Sequence, residues 1–182
     1  MTFPQIDRVS SWLWRPVEGR EPTQAYALVD AARSESIYPK IMGAKTKSVC
    51  LHRGKMAEEL AWVAPYLVQL QPEDSFTGWL LEHGWGKSRF VLVRSCVSFG
   101  ELKRHFRTFL TVYDEDGKSC FFRFYDPRVL RVYLPTCNAA EIKTVFGPVE
   151  SFAVEGEDSS VLLQLSRVGE KRQAEEVAVG SS

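Results

Sequence analysis

Apolar residues recur along this chain in two rhythms, one of about 3.6 residues and one closer to two, and the alternation between them predicts the elements. In residues 4–14, Ile6, Val9 and Leu13 fall on one stripe, with Pro4 in the first turn, so the chain opens on a helix. Pro16 and the polar run VEGREPT break it. AYALVD, residues 25–30, is short and apolar, a buried strand that stops at Asp30 and leads into a loop or short helix. Residues 43–61 mix Lys, Gly and Ala and predict loop with some helix. PYLVQL, residues 65–70, predicts a second strand. Asp74 or Ser75 then caps a helix carrying Phe76, Trp79 and Leu80, with Gly84 near its end and a tight corner at Trp85-Gly86. RFVLVRS, residues 89–95, has a continuous apolar centre, the mark of a strand buried on both faces.

The clearest helix follows. Ser98 and Glu101 have capping-box spacing, and Phe99, Leu102, Phe106, Phe109 and Leu110 form one stripe, with Lys103, Arg104 and Arg107 on the other side. Residues 109–126 predict a hairpin around Asp116-Gly117. Its second strand would run to Asp126, with Phe122, Phe124 and Asp126 on one face and Phe121, Arg123 and Tyr125 on the other. Asp126 is then an N-cap, Pro127 a first helical residue, and Val129, Leu130, Tyr133 and Leu134 the buried side of a short helix ended by Pro135. Asn138 and Glu141 repeat the capping spacing before Ile142, Val145 and Phe146, and Gly147-Pro148 stops that helix. Residues 149–167 predict a last hairpin. The remainder has no core-forming run and predicts a polar, flexible tail over 167–182. Strands and helices are interspersed without strict alternation. The expected fold is α+β: one domain over residues 1–166, with a mixed sheet flanked by helices and a C-terminal hairpin.

Composition narrows the function classes. Of 182 residues, 45% are hydrophobic and 25% charged, ordinary for a folded domain. Lys plus Arg and Asp plus Glu both total 23, so no long-range field favours nucleic acid or an anionic membrane. No apolar run approaches the roughly 20 residues of a membrane span. Asp7 and Arg8 stand where a signal peptide needs apolar residues, so the expected location is the cytoplasm. Cys50, Cys96, Cys120 and Cys137 are scattered, which fits reduced thiols. Cys50 and His52 have no second pair to close a metal site.

Candidate chemistry centres on the corner FFRFYDPRVLRVYLPT, residues 121–136. Arg94, Arg123 and Arg128 lie in or beside apolar runs, and a desolvated guanidinium needs a carboxylate or carbonyl. Asp126 is the expected partner of Arg94 or Arg128. No phosphate-binding loop, G-x-S-x-G elbow or H-E-x-x-H is present, so neither catalytic residues nor a cofactor is expected. The alternative is a small hydrolase or acyl-transfer enzyme using Cys96 or Ser95 with His105. Lys103, Arg104 and Arg107 form either a solvated face or the rim of a partner-binding surface.

The segments AYALVDAAR, PYLVQL, FTGWLLEHGWG, VLVRS, ELKRHFRTFLTV and, most specifically, FRFYDPRVLRVYLPT followed by FGPV together resemble a family named only as a domain of unknown function and associated with bacterial type VI secretion. The resemblance spans residues 25 to about 152. Its motif positions fall on Trp79, Gly84, Trp85, Gly86, Arg94, Ser95, Arg104, His105, Phe124, Tyr125, Asp126, Pro127 and Arg128. It implies a non-catalytic adaptor or chaperone that holds an effector toxin, by its N-terminal region, and loads it onto the spike protein of the injection apparatus. Related adaptors often extend further after the shared domain than this chain does.

Overall fold

The structure is a computed structural model that describes residues 3–16, 22–113, 115–169 and 171–180; most of the break expected at 17–23 lies outside the described residues. Seven helices and nine strands occur in the described residues. The order is α1 (Phe3–Trp14), β1 (Gln24–Asp30), α2 (Ile37–Gly43), β2 (Ser48–Cys50), α3 (Gly54–Glu59), β3 (Pro65–Gln69), α4 (Ser75–Gly84), β4 (Phe90–Ser95) and α5 (Phe99–Phe106). Then come β5 (Thr111–Tyr113), β6 (Ser119–Phe121), α6 (Pro127–Tyr133), α7 (Ala139–Phe146), β7 (Ser151–Glu155), β8 (Val161–Val168) and β9 (Lys171–Ala178).

Seven strands form one sheet in the order β2-β3-β1-β4-β7-β8-β9, while β5 and β6 pair apart from it. The α+β class holds, but every pairing in the large sheet is antiparallel, so the sheet is not mixed in direction. The β3 and β4 strands both pair with β1, on opposite sides, and α4 carries the chain between them.

Both faces of the sheet are covered. Ala25, Ala27 and Val29 of β1 face α1, α2 and α4, meeting Trp12, Ile41 and Leu80. Tyr26 and Leu28 face the other way, toward Phe106, Phe124 and Phe146 around α5–α7. Alternate residues of one strand thus feed two separate cores. This double burial explains why β4 is apolar throughout its centre: all six of its residues are buried.

Local chemistry sets the boundaries. The Asp74 carboxylate accepts from Phe76 N and Thr77 N and starts α4. Full capping boxes start α5 at Ser98 and α7 at Asn138. The α5 helix ends at Phe106, so Phe109 and Leu110 leave the expected stripe, yet both stay buried in the core beyond it. The expected tail is a correction of larger scale. Residues 171–178 pair along their whole length with β8 as an edge strand, although their side chains are polar and largely exposed. Pairing needs backbone groups alone, so it leaves no apolar signature in sequence.

Candidate functional site: the Asp126 corner and its groove

The aromatic run leaves β6 at Phe121, and Phe122–Asp126 turn rather than continue the strand. Asp126 N donates to Arg123 O at 3.0 Å, closing that turn. The alternation expected for residues 121–126 therefore fails: Phe124, Tyr125 and Asp126 are consecutive and all buried. Stacking decides this. Phe124 lies 4.5 Å from Phe109 and 5.6 Å from Phe106, centroid to centroid, and fills the core under α5.

Asp126 is 1% exposed and caps α6, accepting from Arg128 N at 3.0 Å. The same carboxylate takes Arg128 in two-pronged fashion, Nε at 3.0 Å and Nη2 at 2.7 Å. Burial pushes the Asp126 carboxyl up, but the Arg128 hydrogen bonds and the charges of Arg128 and Arg123 outweigh it and hold it below its ordinary value. Pro127 occupies the first helical turn, where its missing N–H costs nothing.

Asp30 is a second buried carboxylate that the sequence reading assigned no partner. It ends β1, caps the following 3-10 turn through Ala32 N at 3.1 Å, and accepts from Arg123 Nη2 at 2.6 Å. Arg123 also lies 3.7 Å from Asp126 Oδ2, so one guanidinium joins the two aspartates. Tyr125 sits over this cluster; burial, reinforced by Asp30, pushes its hydroxyl up to about 12. A signal for Asp30 did exist: like Asp126, it is a lone carboxylate closing a buried run.

Arg94 does not join Asp126. It is buried on the opposite face of the sheet, where Nη2 donates to Arg15 O at 2.6 Å and to Thr23 Oγ1 at 2.9 Å, and its guanidinium lies 5.6 Å from the Trp12 ring. Its hydrogen bonds go to neutral oxygens and its face to a π-system, while the charge of Glu150 also favours the protonated guanidinium. Trp79 and Trp85 also belong to that side. Lys40 Nζ stands 5.5 Å from the Trp79 ring, and the buried Trp85 donates Nε1–H to Ser159 O at 2.7 Å. Of the expected motif residues, the structure brings together Tyr125, Asp126, Pro127 and Arg128, and places Arg94, Trp79 and Trp85 elsewhere.

The basic side of α5 divides as well. Arg104 is exposed and Lys103 half-buried, while Arg107 turns inward and donates to the carbonyls of Cys50, Leu51 and His52 at 2.7–3.1 Å. Arg107 thereby fastens the strand β2 that the sequence reading missed. Ser95 Oγ donates to Pro148 O at 2.7 Å and accepts from Val97 N, while His105 Nε2 bonds Val145 O at 3.0 Å. Each is engaged with backbone, and no hydrogen bond joins them among the described residues. Burial lowers the His105 pKa.

Outside the ion pairs lies an open groove of about 590 Å3. Arg123, Asp126 and Arg128 form its polar part, and Phe122, Val129, Val132 and Tyr133 its apolar walls. Phe122 and Tyr133 meet edge-on at 4.5 Å, while Val132 is 72% exposed on the outer side of α6. Such a surface can seat an apolar side chain beside a hydrogen-bonding group. Its carboxylate accepts from Arg128 on both oxygens.

No curated protein matches this chain, and neither does any solved structure. A family model described as a domain of unknown function (DUF4123) matches residues 25–144, from β1 into α7, and takes in both aspartates and the whole corner. That match covers more than half of the sequence, and the chain belongs to this family.

Proposed function

We propose that this protein is an adaptor, or chaperone, for a type VI secretion effector: it binds the cognate toxin through the toxin's N-terminal region, shields its apolar surface and helps load it onto the spike protein. The work is non-covalent and takes place in the cytoplasm before injection. The family is associated with type VI effector adaptors, which supports a general adaptor role.

One observation carries the reading. The most specific block of the sequence forms a surface groove whose charged groups are satisfied by one another, so its apolar walls are held rigid and open to a partner. Preorganised apolar pockets beside fixed polar groups are how binding modules gain affinity without chemistry. No helix of the described residues is long and apolar enough to cross a membrane.

The test is co-expression with the toxin and spike protein encoded beside it, followed by affinity capture. The complex should form with the native chain and survive Cys96→Ala and His105→Ala. Val132→Asp, on an exposed position, should weaken capture at least tenfold while the fold stays intact. Turnover of a small molecule by the purified chain, lost in Cys96→Ala or His105→Ala, overturns the proposal in favour of the hydrolase.

A further inference from the structure

The large sheet has two edges, and they are treated differently. The β2 edge is three residues long, and Arg107 occupies carbonyls there and just beyond. The β9 edge is eight residues long and lies beyond the family match. Among the described residues nothing bonds its outer backbone groups, and a long bare edge of this kind is a template for another strand.

The hairpin geometry says which groups point outward. Val168 and Lys171 face each other across a two-residue turn in which Gly169 has φ 61°. They are therefore the hydrogen-bonded closing pair. Lys171, Gln173, Glu175 and Val177 turn their N–H and C=O toward β8, and Arg172, Ala174, Glu176 and Ala178 turn theirs to the open side. A second strand pairing antiparallel must set outward residue against outward residue. That excludes a strict end-to-end register, which would oppose Lys171 with Ala178.

For two copies of this strand, two registers retain the most overlap. One centres Glu175 on Glu175 and sets like charges together. The other centres Ala174 on Ala174. It places Arg172 opposite Glu176 twice, once on each side of the axis, and Lys171 diagonal to Glu175. Opposed unlike charges stabilise cross-strand pairs and like charges destabilise them. Charged edges ordinarily repel other strands; here the basic half and the acidic half are each other's complement under a two-fold rotation. Neither Arg172 nor Glu176 has an ion-pair partner among the described residues.

We propose that β9 is a self-recognition edge: two copies of this chain join antiparallel through residues 171–177, Arg172 of each facing Glu176 of the other, to make one continuous sheet. The symmetry admits one partner and closes the edge, so assembly stops at a dimer. It is independent of the adaptor reading.

The experiment is sedimentation or light scattering of the full purified chain across concentration and salt. The native chain should show a concentration-dependent dimer that weakens as salt rises. Arg172→Glu and Glu176→Arg should each raise the dimer dissociation constant at least tenfold, and the double variant Arg172→Glu/Glu176→Arg should restore it. Circular dichroism of each variant establishes that the substitutions, at the half-buried Arg172 and the exposed Glu176, leave the fold unchanged. A native chain that stays monomeric at every concentration overturns the proposal. So does a dimer indifferent to the single reversals, or one that the double variant fails to rescue.

Discussion

Arg123 reaches back along the chain to Asp30, its Nη2 lying 2.6 Å from an oxygen of a carboxylate that is 1% exposed. This contact ties the end of β1 to the corner that starts α6. The same guanidinium stands 3.7 Å from Asp126, so the carboxylate that ends β1 and the one that caps α6 share one cation. Each also caps its own turn, which makes the cluster a joint between the central strand and the groove-bearing helix.

Removing one charge from that joint should cost stability in a particular way. Asp126→Asn keeps a capping oxygen but loses the two-pronged pairing with Arg128. Because the Arg128 side chain is 49% exposed, the loss is discounted for solvent and amounts to about 1–2 kcal/mol in urea unfolding. Asp30→Asn should cost a similar amount. The two should be non-additive by about 0.5 kcal/mol, since Arg123 touches both. If Asp126→Asn unfolds like the native chain, the cluster is not structural.

Arg94→Lys should be more damaging than its conservative appearance implies. The guanidinium fans out to Trp12 O, Arg15 O and Thr23 Oγ1, and these groups anchor the end of α1 to β4. A lysine ammonium has no planar fork to span them. The expected loss is about 2 kcal/mol, with proteolysis appearing first at the end of α1, around Arg15. Protection of that segment unchanged by the substitution would remove the anchoring role.

Much of the frame was legible because local signals and burial agreed. The Ser98–Glu101 and Asn138–Glu141 boxes and the uniformly apolar β4 each state one outcome, and the structure shows it. At the corner the N-cap role of Asp126 was readable, since capping is a local matter. The partner of Arg123 was not, because pairing across 93 residues depends on which strands neighbour one another. The β2 and β9 strands escaped for a different reason. Both are edges, half-buried or exposed, and neither needs an apolar pattern. The strand reading of residues 122–126 failed because burying the adjacent Phe124 and Tyr125 together, with Phe124 packed on Phe109, overrode a period of two.

Stability should fall on mild acidification. Burial lowers the pKa of both His52 and His105, so the unfolded chain takes up protons at a higher pH than the folded one. Their contribution is complete above the ordinary histidine value of about 6.5 and is lost as pH drops through the folded values. Asp126 has the same sign but a lower window, below the ordinary carboxylate range. The urea midpoint should therefore be flat from pH 8 to 7 and decline from 7 to 5. His105→Gln should flatten part of that decline. A native midpoint that does not move between pH 7 and 5 would contradict the buried-neutral assignment.

Two glycines on α4 should respond oppositely to alanine. A Cβ on Gly84 would lie 2.6 Å from Cε1 of Phe90, a ring 4% exposed and wedged against Trp85 at 6.2 Å. Neither ring can retreat without disturbing the core, so Gly84→Ala should cost about 1–3 kcal/mol. A Cβ on Gly78 would meet nothing within 4 Å, and that residue is helical and exposed. Gly78→Ala should stabilise by up to about 1 kcal/mol through helix propensity and a less free unfolded chain. For a domain of this size each kcal/mol moves the melting temperature by roughly 2–4 °C, so calorimetry should see shifts of opposite sign. Equal shifts would mean that Gly84 is there for helix termination alone, and that the approach of Phe90 does not constrain it.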